Sequence, residues 1–329
     1  MLPNLRDDKS NFDYVLIDGD LLVFAICAAI EYGKEDGEFE LSQVTKVIDK
    51  RIAEIMKRVK ARFYRIYFSH SNNFRKTIDP EYKSNRKDVW RPSLLKPAID
   101  YCMNKHKGIM QDGLEADDLL VADINERSIV ASLDKDIPQN VGHYYKWETS
   151  TAGERFIEVE ASNPFGDVVQ IQKANKKEYD GKGIKFFCHQ LLIGDPTDGI
   201  MGCGVRKELI YKSGVKKGEV YLRRVGVGAG KAYELLESTT SYGEAIQIVI
   251  KEYKKVFGDD WEQMLLMNGR CLHMVSEIDK DGCFRLWSLR KSQADSSWFN
   301  PKTNKMFTKL INMVTVNPIK LSRSGYLVP

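Results

Sequence analysis

Apolar and polar positions alternate in two periods along this chain. Tyr14-Val15-Leu16-Ile17 is a short apolar run that ends in Asp18-Gly19-Asp20, which predicts a buried strand. Leu21 to Ile30 then predicts a helix packed on the sheet. Apolar residues at 44, 47, 48, 52, 55, 56 and 59 follow a helical period and predict a helix over 41–59. Phe63 to Phe68 is aromatic and β-branched and predicts a second strand. Residues 71–97 lack a sustained period and are rich in charge, so they read as a partly helical functional excursion. Helices are expected over 114–124, 184–193, 229–236 and 242–256, and a third strand over 128–133 ends in Asp134-Lys135-Asp136. From Asp259 onward the pattern assigns no element. This strand–helix alternation argues for a three-layer α/β fold with a mostly parallel sheet.

Composition changes that picture little. With 43% hydrophobic and 29% charged residues, the chain is neither disordered nor membrane-like. No apolar run approaches the roughly 20 residues that span a bilayer. The opening MLPNLRDDKS lacks a basic region leading into an apolar one, so no signal peptide is expected. Six scattered cysteines form no C-x-x-C pair, which fits a reducing cytoplasm, the host's for a viral chain. Cys271 and His273 could be half a zinc site, but no second pair at ligand spacing follows. Net charge is only +4, yet the local charge is uneven. Between Arg206 and Lys231 basic residues outnumber the acidic Glu208 and Glu219, and Arg75 to Arg91 interleaves basic residues with Tyr82 and Trp90. Such stretches are usually solvated faces; with aromatics between the charges they also suit backbone tracking and base stacking.

The chemistry lies in the carboxylates. Asp18 follows the first strand, and Asp134 and Asp136 follow another. Glu115, Asp117 and Asp118 open a helix, and Asp195-Pro196-Thr197-Asp198 resembles a helix entry. Any one of these segments can be a cap or a turn. Four together suggest a site outside the carboxyl ends of the strands. Crowded carboxylates repel, and divalent cations remove that cost. Hard oxygen ligands point to two Mg²⁺ or Mn²⁺ ions, the usual apparatus for in-line attack of water on a phosphodiester.

The segments VLIDGDLLVF, FSHSNNFRKTIDPEYKSNRK, GLEADDLL, ASLDKD, IGDPTDGIMGCG and GVGAGKAYELL resemble, in order, the flap-endonuclease/5′-nuclease superfamily with its PIN-like core, most of all the 5′→3′ exonucleases of bacteriophages. The resemblance implies a PIN-like nuclease domain over 1–194, with a gateway near 71–97, and a helix-hairpin-helix DNA-binding region over 195–329 with an unassigned C-terminal part. It implies that Asp18, Glu115, Asp117, Asp118, Asp134, Asp136, Asp195 and Asp198 bind metal. It also implies that Lys83 and Arg86 act on the scissile phosphate and that Tyr82 and Arg75 contact DNA. Gly226, Gly228, Gly230 and Lys231 then match the hairpin, where main-chain N–H groups hold the DNA backbone, often with K⁺. GVGAGK lacks P-loop spacing.

Two departures stand out. His70 replaces the usual acid after the second strand, and its imidazole is a candidate metal ligand or a mark of an altered site. A basic insertion over about 205–224, with Lys216, Lys217, Arg223 and Arg224 as candidate duplex contacts, separates the two glycine-rich segments. The expected activity is a monomeric, metal-dependent 5′-nuclease acting on a DNA duplex with a 5′ end or flap, or on an RNA–DNA hybrid, in phage DNA replication or degradation. A haloacid-dehalogenase-type phosphatase would use Asp18 as nucleophile and Asp20 as acid/base, but it leaves EADD and DKD without roles. In the nuclease reading Asp20 is secondary. A non-catalytic DNA-binding module has only His70 in its favour, because concentrated negative charge does not help bind a polyanion.

Overall fold

The computed structural model describes residues 11–34, 38–87, 89–173, 177–289 and 297–308; the ends of the two expected domains and position 88 of the gateway lie outside them. The first half alternates β1 (Phe12–Asp18), α1 (Gly19–Glu31), α2 (Leu41–Val59), β2 (Ala61–Tyr67), α3 (Arg75–Ile78), α4 (Leu95–Lys105), α5 (Ala116–Ala122), β3 (Ser128–Ala131), β4 (Gly142–Lys146) and β5 (Arg155–Val159). The five strands form one sheet in the order β2-β1-β3-β4-β5. β1 pairs in parallel with β2 and β3, β3 pairs in parallel with β4, and only β5 is antiparallel.

Strand β1 shows why three layers form. Side chains alternate across a strand. Val15 and Ile17 enter a core with Val23, Ile48, Ile52 and Ala98 from α1, α2 and α4, while Leu16 enters a second core with Leu119 and Leu120 of α5. Each such buried aliphatic side chain contributes about 1.5–3 kcal/mol. This is the three-layer, mostly parallel PIN-like architecture.

The second half begins with the hairpin of β6 (Asp167–Gln172) and β7 (Lys177–Lys182), followed by α6 (Gly183–Ile193). The insertion is an antiparallel ribbon of β8 (Gly204–Ile210) and β9 (Val220–Gly226). Then come α7 (Ala229–Leu236), α8 (Tyr242–Phe257) and α9 (Trp261–Leu272). A third core joins α6, α7, α8 and α9, so α6 packs with the helices that follow it. The unassigned C-terminal pattern resolves into α9 and a small sheet of β10 (Phe284–Arg285), β11 (Ser297–Asn300) and β12 (Lys305–Thr308). Phe284 and Phe299 of that sheet stack at 5.3 Å and pack with Phe74 on the second core. No described helix is long and apolar enough to cross a membrane.

Two local devices hold the site-bearing segments. Gly194 (φ +73°) and Gly202 (φ +60°) close the turn after α6, and a Cβ on Gly194 would stand 2.2 Å from the Ile200 carbonyl oxygen. Asp195 and Ile200 exchange both backbone hydrogen bonds at 2.9 Å within that turn. The second device is a buried ion pair. The Arg75 guanidinium donates to both oxygens of Asp118 at 2.6 and 2.8 Å, and to the Cys271 and His273 carbonyls at 2.8 and 3.2 Å. Asp118 also accepts from the Val275 N–H at 2.9 Å, so α3, α5 and the chain after α9 meet at one charge pair.

Gly194→Ala is expected to destabilise the fold by about 1–3 kcal/mol, because it adds left-handed strain to a steric clash. Urea unfolding checks this. Asp118→Ala strands a buried guanidinium and is expected to cost about 3–5 kcal/mol, whereas the paired replacement Arg75→Met/Asp118→Leu recovers most of that loss. Equal stability of the single and paired variants would contradict the latch.

Candidate active site

The carboxyl ends of β1 and β3, the start of α5, the gateway and the turn after α6 converge on one basin. Asp18, Asp20, Glu115, Asp117, Asp134, Asp136, Asp195 and Asp198 line it together with Lys83 and Arg86. Each acid is placed by its own backbone. Asp18 caps α1, accepting from the Leu21 N–H at 3.0 Å, and takes the Ser132 hydroxyl at 2.7 Å. Asp20 accepts from the Ser69 N–H at 3.0 Å. Glu115 caps α5. Asp134 accepts from the Asp136 N–H at 2.7 Å, and Asp136 takes the Gln190 amide at 2.5 Å. Asp195 accepts from the Thr197 N–H at 2.8 Å.

Burial and crowding shift these acids in opposite directions. Burial pushes Asp18 up to about 7 against the hydrogen bonds from Leu21 and Ser132. Burial likewise raises Asp20, Asp117, Asp134 and Asp136, and neighbouring carboxylates add to the rise in each. Glu115 is opposite: burial is outweighed by Arg75 and Lys83, which hold it at about 2. At Asp195 the Lys135 ammonium and the Thr197 N–H outweigh burial and keep the carboxyl low.

The segment expected to form a gateway reaches into the basin with Tyr82, Lys83 and Arg86. Lys83 adopts a left-handed backbone (φ +57°) and donates its N–H to the Asp198 carbonyl at 2.8 Å. Its ammonium lies 2.5 Å from Glu115 Oε1 and 3.5 Å from Asp198 Oδ2. Arg86 pairs with Asp198 and donates to the Thr197 carbonyl at 3.1 Å. The Tyr82 hydroxyl lies 2.7 Å from Glu115 Oε2 and 2.9 Å from Asp198 Oδ2.

Several expected site residues are engaged otherwise than expected. Asp118, expected among the metal-binding acids, is fully buried against Arg75 and does not line the basin. Arg75, expected to contact DNA, edges the basin but is 1% exposed and committed to that pair, because only a buried carboxylate compensates its desolvation. Tyr82, expected to stack on a base, lines the basin through its hydroxyl, but it is 3% exposed and its ring packs in the third core. His70 lies outside the basin, with Nδ1 accepting from the Asn72 N–H at 3.1 Å and 3.2 Å from Asp112. Cys271 is a buried free thiol. Arg224, expected to contact duplex, donates instead to the Met201, Leu192 and Val227 carbonyls at 2.7–3.0 Å. Gly226 sits at the ribbon's root, Gly228 caps α7, Gly230 lies in its first turn, and Lys231 pairs with Glu234 at 3.3 Å. Lys216, Lys217 and Arg223 are exposed on the ribbon.

Sequence reasoning made Asp20 secondary to Asp18, and it passed over Ser132, Gln190 and the wall that Leu272 and Met274 form with Cys271. The D-G-D spacing was the available signal for Asp20, which falls in the first turn of α1. The wall carries no local signal, since it arrives from α9 only through the Arg75 latch.

Desolvated, mutually repelling carboxylate oxygens are the donor chemistry of a hard divalent cation. Among the described residues no three acids, histidines or cysteines converge as a finished cation cage. Lys83 and Arg86 stand among the acids as internal counter-ions.

Residues 13–163 match the family described as 5′-3′ exonuclease, N-terminal resolvase-like domain. Among solved structures, the T5 D15 protein co-crystallized with metal ions is 16% identical, with 78% of this chain and 90% of that one covered at a TM-score of 0.49. A lysine-to-alanine mutant of the T5 5′-exonuclease is 15% identical over 79% of this chain and 90% of its own, at 0.45. The bacteriophage T5 D15 flap endonuclease, in a pseudo-enzyme-product complex with DNA and metal ions, is 15% identical over 77% and 96%, at 0.47. No curated protein matches the chain significantly. With its strands ending in this acidic basin, the segment 13–163 is similar to the 5′-3′ exonuclease N-terminal resolvase-like domain family.

Proposed function

We propose that the chain is a divalent-metal-dependent 5′-nuclease, a 5′→3′ exonuclease and flap endonuclease, that hydrolyses DNA phosphodiesters by in-line attack of water. The observation that carries this reading is the meeting of acids from four separate segments with Lys83 and Arg86 in one basin. The family of residues 13–163 supports it. Asp18, Asp117, Asp134 and Asp136 form the least compensated group, and with Asp20, Glu115, Asp195 and Asp198 they could hold two Mg²⁺ or Mn²⁺ ions. Such ions, when bound, activate water and neutralise charge on the phosphoryl oxygens. Tyr82 acts as a positioning residue, holding the gateway against Glu115 and Asp198 from within the core. Lys83 and Arg86 are then poised to exchange these carboxylates for the non-bridging oxygens of the scissile phosphate, where charge develops in the transition state. The glycine-rich entry to α7 is the proposed site for a DNA backbone and K⁺, with the substrate a duplex bearing a 5′ end or flap, or an RNA–DNA hybrid. A role in phage DNA replication or degradation, by a monomer, completes the proposal.

Three outcomes follow. Lys83→Ala should slow single-turnover cleavage at saturating enzyme by roughly 100-fold or more, the scale of losing one transition-state donor. Cleavage at the wild-type rate would return the gateway lysine to a purely structural role. Cleavage should also stop in EDTA, and the metal's effect on stability should depend on pH. Asp18, raised to about 7, contributes to metal-free stability fully below the ordinary carboxylate range, and that contribution is lost as pH rises through 7. Protons and cations compete for it, so Mn²⁺ should bind roughly 30-fold more weakly near pH 5.5 than at full ionisation. Thermal unfolding with and without Mn²⁺ at several pH values reads this, and a pH-independent shift would contradict it.

A further inference from the structure

The ribbon of β8 and β9 stands apart from every core. None of residues 205–225 belongs to the three hydrophobic clusters, and Val215 at its outer end is fully exposed. In an antiparallel pair, opposed residues share a face. Ile210, Val220 and Leu222 fall on one face beside Glu208, each of the three about three-fifths exposed, and Val215 lies in the turn beyond them. Lys207 and Arg223 are opposed on the other face, which also carries Tyr221 stacked on Tyr211 at 4.2 Å. Lys212, Lys216 and Lys217 flank Val215 in the turn.

An isolated two-stranded ribbon is marginal in water. This one is held at its root, where Gly204 pairs with Gly226, the Val227 N–H donates to the Cys203 carbonyl at 3.0 Å, and Arg224 fastens it to three carbonyls. The outer half is held by little beyond its own pairing and the tyrosine stack. An apolar point ringed by lysines suits one occupant in charge and shape. Phosphates take the ammonium groups, and an unstacked base step takes the apolar side chain.

We propose that the ribbon is an arm that enters the minor groove of duplex DNA beside the basin, with Val215 as an apolar wedge and Lys212, Lys216 and Lys217 on the flanking phosphates. The arm springs from the same turn that carries Asp195 and Asp198. Seven extended residues reach about 23 Å, so the tip touches duplex roughly seven base pairs from its root. The proposal rests on the nuclease reading only for where that duplex lies.

The test uses the full chain in EDTA, where no cutting is needed. In one variant Asn-Gly replaces residues 211–219 and joins the directly opposed Ile210 and Val220, a spacing that suits a two-residue turn. On a duplex of about 30 base pairs, near physiological salt, it should bind at least tenfold more weakly, with a salt slope lower by about 2–3. Replacing Lys212, Lys216 and Lys217 by alanine together should reproduce the slope change without altering the backbone. Val215→Ser should keep the slope but reduce the DNA bending seen by energy transfer between end labels. Wild-type affinity and slope in both lysine-lacking variants would overturn the proposal and leave the ribbon as a protein-docking surface. Wild-type bending in Val215→Ser would overturn the wedge. Failure of metal-dependent cleavage would sink the nuclease reading while leaving these binding results intact.

Discussion

Repulsion among desolvated carboxylates is the constraint around which this molecule is organised. Eight acids face one basin, and each sits where backbone geometry, not its own preference for company, puts it. Asp18 is at a strand end, Glu115 at a helix cap, and Asp195 in a turn that only glycines can close. Such a concentration of charge tends to push its own scaffold apart. The counterweights are specific. Lys83, Arg86 and Lys135 sit among the acids, and Arg75 neutralises Asp118 from behind. The uneven outcome, with Glu115 held low and Asp18 pushed high, divides the basin into a compensated side and an uncompensated side. The uncompensated side is where an added cation gains most.

Much of the frame could be read from the chain. The helices at Leu41–Val59 and Ala229–Leu236 appear at the bounds their apolar period predicts, because each buries one continuous stripe. Strands β1 and β3 were legible since their apolar runs end at acidic turns, and β2 since it is aromatic and β-branched. Strands β4 to β7 were not, because their side chains are largely polar or half exposed and lack a clean alternation. The C-terminal sheet was equally hidden. Its few aromatic residues acquire meaning only when Phe284 and Phe299 meet Phe74, more than two hundred positions away.

The site was legible as an inventory and less so as an arrangement. Sequence spacing collected most of the basin acids, but it could not distinguish Asp117 from Asp118, adjacent residues about 100° apart on one helical turn. Asp117 turns to the basin and Asp118 to Arg75. Tyr82 shows the same limit, since a tyrosine between charges looks like a stacking platform until the third core is seen to enclose it. Long-range partners decide such cases, and they leave no local trace.

The root of the ribbon has a consequence of its own. A Cβ on Gly226 would lie 2.2 Å from the Cys203 carbonyl oxygen and 2.4 Å from the Gly204 Cα, so the chain departs and returns through a gap that admits only hydrogen side chains. The two flanking helices are therefore joined across a closed neck, and what lies beyond it is topologically a bead on a clasp. Extra length there adds loop-closure entropy only logarithmically. Segments of very different size or chemistry can be exchanged at this point while the acidic turn and the helices keep their places, which makes positions 204–226 a natural splice site for grafting a new element onto the same frame.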